Sequence, residues 1–384
     1  MDTPLGALIR EITALEGKIT FARFMELALY HPEHGYYAAL QNPPGRRGDY
    51  YTSPQLSHAF GRMIAVQLRR MWEIMERPKP FTVVEIGAGD GLLARQILTS
   101  SLAVFPEFFD AVEYVLCDVS PAMRRRQTEV LSASCRSNGA DRVSLLGKTR
   151  QVADIGHLRG GVAGCVLSNE LFDSLPAHVV EISGGAMSEL FVGVRGGSFA
   201  FVPGEPSCPE LETYFGKWEV RLAEGQRAEA CLAAPRLVGE IAAVLERGFV
   251  VTIDYGGTAR ELYRPDRKEG TLAGYSRHRL VENVLDAPGT HDITCHVNFS
   301  ALIDAGAERG LEFAGLTTQS FFLLNLGLPA LMEPRRLEAL SPQEAVDMSL
   351  ALRKLTDPDS LGAFKVLVQR KGVAPSPLRC FGGP

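Results

Sequence analysis

Hydrophobic positions repeat with two different periods along this chain, and the change falls near residue 80. Leu5, Leu8, Ile9, Ile12 and Leu15 recur at helical spacing, which predicts an amphipathic helix over residues 5–16. A second helix is expected to start at Thr20 with Phe21, Phe24, Met25 and Ala28 inward. A longer one carries Phe60, Ile64, Leu68, Met71 and Met75 on one face. Between them lie the turn-rich LYHPEHGYY (29–37) and the loop NPPGRRGDYYTSP (42–54), dense in glycine and proline. Pro78 and Pro80 close this helical N-terminal region, residues 1–80.

From Phe81 short apolar runs alternate with helical segments. Strands are expected at FTVVEIG (81–87), EYVLCDV (113–119), RVSLLG (142–147), GCVLSN (164–169), GFVVTIDYG (248–256) and FKVLV (364–368). Helices are expected at about 91–102, 121–133 and 235–247, and Ser341-Pro342-Gln343-Glu344 has the form of a capping box opening another. Apolar runs buried on both faces and separated by helices imply an α/β fold with a doubly wound, mostly parallel sheet. This core spans 81–372 and carries insertions at about 177–234 and 257–298, with 373–384 as a tail. Residues 179–204 read as a hairpin set turning at Arg195-Gly196-Gly197, and 257–298 as a polar, loop-rich excursion.

Composition narrows the function classes. The 384 residues are 46% hydrophobic with a net charge of −5, which argues against a nucleic-acid binder, whose footprint is usually basic. The run Arg124-Arg125-Arg126 lies in a segment of helical spacing and reads as a solvated helix face. Seven scattered cysteines show no CxxC spacing, and Cys117 and Cys165 fall within apolar strands, so free buried thiols are expected. His278, His291 and His296 satisfy no metal-ligand spacing. No apolar run reaches membrane-spanning length. The first residues, with Asp2, Glu11 and Glu16, lack the pattern of a leader, and a cytoplasmic protein is expected.

The candidate chemistry begins where the first strand meets its helix, at Glu85-Ile86-Gly87-Ala88-Gly89-Asp90-Gly91. A glycine turn at this place suits several nucleotide-binding folds. A dinucleotide fingerprint wants glycine or alanine at position 92, where this chain has Leu92, with its third glycine at 91. Glu85 would repel a pyrophosphate but suits a cationic amino-acid group. S-adenosylmethionine, with its ammonium and sulfonium, is therefore favoured over a nicotinamide cofactor. Asp118, at the end of the second strand, stands where an acid accepts hydrogen bonds from ribose hydroxyls, with Val119 and Ser120 beside it. The alternative is that Asp118 caps the next helix, a task Ser120 can also perform.

The loop after the fourth strand, Ser168-Asn169-Glu170-Leu171-Phe172-Asp173-Ser174, leaves the same edge of the sheet. If it turns helically, Glu170 and Asp173 share a face with Asn169 beside them. Two carboxylates next to a methyl donor suit a guanidinium acceptor, which needs bidentate partners and loses its proton late. Adenine methylation would want a stacking aromatic here, and Phe172 is the sole candidate. The alternative reading is that Asn169 and Asp173 cap the next helix while Glu170 is solvated.

With these motifs the chain resembles the MidA-like family, the mitochondrial complex I assembly methyltransferases and their bacterial relatives. The resemblance rests on LYHPEHGYY (29–37), GDYYTSP (48–54), EIGAGDG (85–91), SNELFDSLP (168–176), DYGG (254–257), GTLAGYSRH (270–278), PGTHDITCHVNFSAL (288–302) and TTQSFFLLNLG (317–327). It implies a class I methyltransferase, Rossmann-like, with a helical N-terminal region and insertions. It implies S-adenosyl-L-methionine as cofactor, and symmetric dimethylation of an arginine on a core subunit of NADH:ubiquinone oxidoreductase. It also implies cofactor contacts from Asp49, Thr52 and Ser53, and an acceptor pocket lined by His291, Asp292, Asp254, Tyr255 and Gln319, for which loop anchoring is the alternative. Ala88, Asp90 and Asp118 stand where relatives usually have proline, arginine and glutamate. A small-molecule acceptor and a non-catalytic assembly factor remain the competing functions.

Overall fold

A computed structural model of the chain describes residues 3–39, 52–132, 135–136, 142–158, 161–277, 279–333 and 341–382. The chain forms two compact units. One comprises residues 51–171, 239–255 and 306–384; the other comprises 1–50, 172–238 and 256–305.

The first unit is built on a seven-stranded sheet. Its strands are β1 (Phe81–Ile86), β2 (Val112–Cys117), β3 (Thr149–Val152), β4 (Val162–Asn169), β5 (Leu245–Asp254), β6 (Glu312–Thr318) and β7 (Lys365–Lys371). Across the sheet they run β6-β7-β5-β4-β1-β2-β3, and only β7 is antiparallel to its neighbours. Chain order therefore reverses between β1 and β4, and the carboxyl ends of these strands frame the crevice where such sheets bind ligands. Central strands read as continuous apolar runs because both faces are covered: Val83, Val84, Val166, Leu167, Val250 and Val251 are all buried. Helix His58–Ile74 contributes Phe60, Ile64, Leu68 and Met71 to this core, with Met75 just past its end, and packs beside helix Leu92–Val104. Gly164 in β4 lies so close to β1 that a Cβ would collide with the carbonyl oxygen of Thr82.

One expected strand is displaced. Residues Arg142–Val143 pair with Cys135–Arg136 in a separate ribbon, Leu145–Lys148 form a 3-10 turn, and the sheet edge is Thr149–Val152. An edge strand half open to water needs no apolar run, so Thr149, Arg150 and Gln151 give little hydrophobic signal. The box at Ser341 forms as expected: Ser341 Oγ accepts from Glu344 N at 3.3 Å, and Glu344 Oε2 accepts from Ser341 N at 2.8 Å. It opens helix Pro342–Thr356.

The second unit joins the N-terminal helices Pro4–Glu16 and Phe21–Tyr30 to both insertions. Strands Ala186–Arg195 and Ser198–Gly204 form a hairpin whose two-residue turn is Gly196-Gly197, the place expected from the sequence. They extend an antiparallel sheet with His178–Ser183, Arg227–Ala230 and Ile19–Thr20. Leu5, Ile9, Phe21, Phe24 and Met25 pack there with Val179, Leu190 and Val192. Leu15, expected on the inward face, is 89% exposed at the end of its helix. The stretch 257–298 is more ordered than a loop: Ala273–Ser276 pairs with Arg279–Leu280 and with Asp292–Thr294. These units divide the chain near residue 50 rather than 80, because helix 58–74 packs with the sheet.

Candidate active site

The turn after β1 is shaped by three left-handed glycines, with φ of +68° at Gly87, +51° at Gly89 and +81° at Gly91. At Gly91 the sign of φ and the space both exclude a side chain, since a Cβ would crowd Gln127 and Leu116. At Gly89 a Cβ would meet nothing within 4 Å, so this part of the turn faces open space. Backbone bonds hold the turn: Gly87 N donates to Cys117 O at 2.9 Å, and Gly91 N to Ala88 O at 2.9 Å. Asp90 Oδ1 accepts from Leu92 N at 3.0 Å, so its carboxylate covers the start of the helix that follows.

Asp118 ties the second strand to this turn. Its Oδ2 accepts from Gly89 N at 3.0 Å and its Oδ1 from Ser120 N at 2.8 Å. Burial pushes its pKa up, opposed by the Ser120 and Gly89 amides and by Arg124. Ser120, rather than Asp118, caps helix Pro121–Ser132, with Oγ accepting from Met123 N at 3.3 Å. Val119 between them is 65% exposed, an apolar surface at the carboxyl edge of the sheet. Gln127, which sequence reasoning missed, reaches back to donate to Gly89 O at 2.9 Å. A buried glutamine on a helix shows no pattern in sequence that would mark such a contact.

Glu85 is enclosed within the sheet, where its Oε2 accepts from the Tyr114 hydroxyl at 2.7 Å. Burial raises its pKa to about 8; the Tyr114 bond opposes the rise, and Asp90 and Asp118 add to it. The turn therefore holds a mostly neutral carboxyl group at pH 7, one that a nearby cation would ionise. Tyr114 was not foreseen, because its role depends on β1 and β2 lying side by side.

Glu170 stands at the end of β4 with a left-handed backbone, φ +53°. A glutamate in this region is uncommon and carries strain. Its N–H donates to Ile253 O at 2.9 Å, and its Oε1 accepts from Ser53 N at 3.2 Å and Asn169 Nδ2 at 2.9 Å. The left-handed residue interrupts any helical turn over 170–173, and only Phe172–Ser174 forms a short 3-10 turn. Glu170 and Asp173 thus do not share a helix face. No helix follows for Asn169 or Asp173 to cap, since strand His178–Ser183 comes next.

The supporting residues sort themselves by their bonds. Gln319 is wholly buried, its Oε1 accepting from Ser53 Oγ at 3.1 Å and its Nε2 donating to Leu355 O at 3.2 Å. Asp254 is also wholly buried and accepts from Leu171 N at 3.1 Å and Tyr255 N at 2.9 Å. Both anchor loops. Thr52 caps the short helix Ser53–Leu56 in a box with Gln55. In the second unit, His291 Nε2 bonds Val284 O at 3.2 Å. Burial, with Arg267 adding, lowers the pKa of His296 to about 4. Asp49 and His278 lie outside the described residues. Cys117 and Cys165 are free and buried. Among the described residues no group of three or more His, Cys, Asp or Glu is placed to hold a metal, and no helix is long and apolar enough to cross a membrane.

Comparison with known proteins gives this geometry its family. The mitochondrial protein arginine methyltransferase NDUFAF7 homolog of Drosophila melanogaster is 27% identical over 96% of this chain and 86% of its own length. Human mitochondrial protein arginine methyltransferase NDUFAF7 is 27% identical over 85% of this chain and 75% of its own. A superfamily member from Burkholderia thailandensis, crystallised with S-adenosyl-homocysteine, is 30% identical with a TM-score of 0.84, covering 98% of this chain and 94% of that one. The expectation of a cytoplasmic protein is corrected by these relatives, of which the curated ones are mitochondrial. Residues 4–16, read above for the absence of a leader, are a folded helix and carry no information on compartment. The family model for S-adenosyl-L-methionine-dependent methyltransferases matches residues 63–317. The glycine turn, the reversal of strand order beside it and this match agree: the chain belongs to the MidA-like family of S-adenosyl-L-methionine-dependent methyltransferases, and S-adenosyl-L-methionine is its methyl donor.

Proposed function

We propose that this enzyme methylates arginine side chains of a protein partner, placing methyl groups symmetrically on the two terminal nitrogens. The observation that carries the reading is the Glu170 carboxylate, held by Ser53 N and Asn169 Nδ2 on a strained backbone at the carboxyl end of β4. Strain of this kind persists where a side chain must be aimed. The names of the curated relatives support the same acceptor, and the family resemblance points to a core subunit of NADH:ubiquinone oxidoreductase as the partner.

In this reading Gly87, Ala88, Gly89, Asp90 and Gly91 line the donor's amino-acid end. Asp118 would accept hydrogen bonds from its ribose, Val119 and Ser120 would contribute to the same cofactor site, and Glu85 would answer its positive charge. Thr52 and Ser53 hold the neighbouring loop, with Ser53 acting through Glu170. When bound, S-adenosyl-L-methionine supplies a methyl group on a positively charged sulfur. Glu170 accepts hydrogen bonds from the guanidinium, and Asn169 keeps the carboxylate oriented. As the new N–C bond forms, the S–C bond of the sulfonium would break and its electron pair stay on sulfur, leaving S-adenosyl-homocysteine as a neutral thioether. The nitrogen keeps its proton until the N–C bond is largely made, because the guanidinium pKa exceeds about 12. Carboxylates then stabilise the charge and receive the proton by way of solvent.

Incubation with labelled methyl donor and cell lysate tests the reading. Label in one protein band that hydrolyses to symmetric dimethylarginine supports it. Label in an extractable small molecule, or no label at all, overturns it.

A further inference from the structure

The glycine turn after β1 is braced by a chain of side-chain amides. Gly89 is its most permissive point: φ is +51°, and a Cβ there would meet nothing within 4 Å. With no side chain of its own, this residue can be fixed only through its two peptide groups. Both are held. Its N–H donates to Asp118 Oδ2 at 3.0 Å, and its carbonyl accepts from Gln127 Nε2 at 2.9 Å. Gln127 is wholly buried on helix Pro121–Ser132 and packs against the turn, where a Cβ at Gly91 would stand 3.2 Å from its Cγ. Behind it, Gln151 Nε2 on the edge strand β3 donates to Gln127 Oε1 at 3.0 Å. The same nitrogen donates to Arg124 O at 2.6 Å.

These bonds give the relay one polarity. A backbone carbonyl only accepts, so Gln151 must turn its nitrogen to Arg124 O, and Gln127 its nitrogen to Gly89 O. Reversing the Gln127 amide would set oxygen against oxygen at Gly89 and N–H against N–H at Gln151. An apolar side chain of the same volume would fill the space between helix and turn as well. The amide therefore answers a need of the turn, whose freest residue it holds in one orientation. A loop shaped before its ligand arrives loses less affinity to ordering.

We propose that Gln127, supported by Gln151, is a positioning residue for the methyl donor: it fixes the Gly89 peptide so that the turn receives the donor's amino-acid end. This rests on the placement of that end at residues 87–91 given above. Two probes separate the effect from general damage. S-adenosyl-homocysteine carries the amino-acid end, whereas 5′-methylthioadenosine lacks it and keeps the adenosine. Both are titrated by calorimetry into the full chain. Gln127→Met keeps the volume and removes the amide, so S-adenosyl-homocysteine should bind about tenfold more weakly. Methylthioadenosine should stay within about twofold of wild type, because Asp118 keeps its bond to Ser120 N. Gln151→Ala should weaken S-adenosyl-homocysteine by about two- to fivefold. The double variant should bind it no more weakly than Gln127→Met, because the second amide acts only through the first. Unchanged S-adenosyl-homocysteine affinity in either single variant, equal losses for the two ligands, or losses that multiply in the double variant overturn the relay. If circular dichroism shows Gln127→Met unfolded, Gln151→Ala carries the test through the same split between ligands. Gly89→Ala is the control on placement. If it weakens S-adenosyl-homocysteine and Gln127→Met does not, the placement stands and the relay falls. If it leaves that affinity intact, the placement falls and the relay with it.

Discussion

Glu85→Gln should make the ligand-free protein less sensitive to alkali, and the size of the effect follows from the burial of one carboxyl group. Burial raises the pKa of Glu85 to about 8 in the folded chain, against 4.5 for a solvent-exposed glutamate. The native state therefore keeps a proton that the unfolded chain releases. The associated stability is complete below the unfolded value and is lost as pH rises through the folded one. Integrating the linkage from pH 6.5 to 9, at about 1.4 kcal/mol per unit, gives a loss of about 2 kcal/mol. Glutamine keeps an acceptor for the Tyr114 hydroxyl but cannot titrate. Urea unfolding of wild type and Glu85→Gln at pH 6.5, 7.5, 8.5 and 9 should give curves that diverge by about that amount, with the wild type losing more. S-adenosyl-L-methionine should reduce the divergence, because a cation near the turn favours the ionised carboxylate. Parallel curves across this range would refute the claim that Glu85 is held neutral by its enclosure.

Gly89→Ala forces a side chain onto a φ of +51° without a steric clash, so it should cost only about 1 kcal/mol of stability. Its Cβ projects into the space assigned to the donor, and calorimetry should show S-adenosyl-homocysteine affinity reduced by more than about tenfold, a loss of about 1.4 kcal/mol. Glu170→Ala should abolish methyl transfer in the labelling assay and leave donor affinity within about twofold. A large loss of donor affinity would move Glu170 from the acceptor to the cofactor. Ser341→Ala removes one side of the capping box and should lower stability by about 1 kcal/mol, with faster amide exchange confined to the first turn of helix 342–356.

The sheet was legible because its physics is local. Strands buried on both faces must be continuously apolar, and helices between them must carry one apolar stripe, so β1, β2, β4, β5 and β7 announced themselves. The edge strand Thr149–Val152 did not, since half of it faces water. The glycine turn was equally readable: only glycine adopts left-handed backbone cheaply three times in five residues. The loop at Glu170 was less legible for the converse reason. Whether it turned helically was left open by the spacing, and long-range bonds to Ile253 and Ser53 hold its backbone left-handed instead.

What the sequence determined by itself was the class of fold, the place of the glycine turn and the candidate carboxylates, all properties of short stretches of chain. The tertiary structure decided the work of each polar group. It turned Gln319 and Asp254 into loop anchors, paired Glu85 with Tyr114, brought Gln127 to Gly89, and gathered Tyr37, Tyr275 and Asp292 from three distant segments. The reason is that a hydrogen bond between residues far apart in sequence leaves no period or spacing behind, whereas burial and backbone strain act on each segment where it stands.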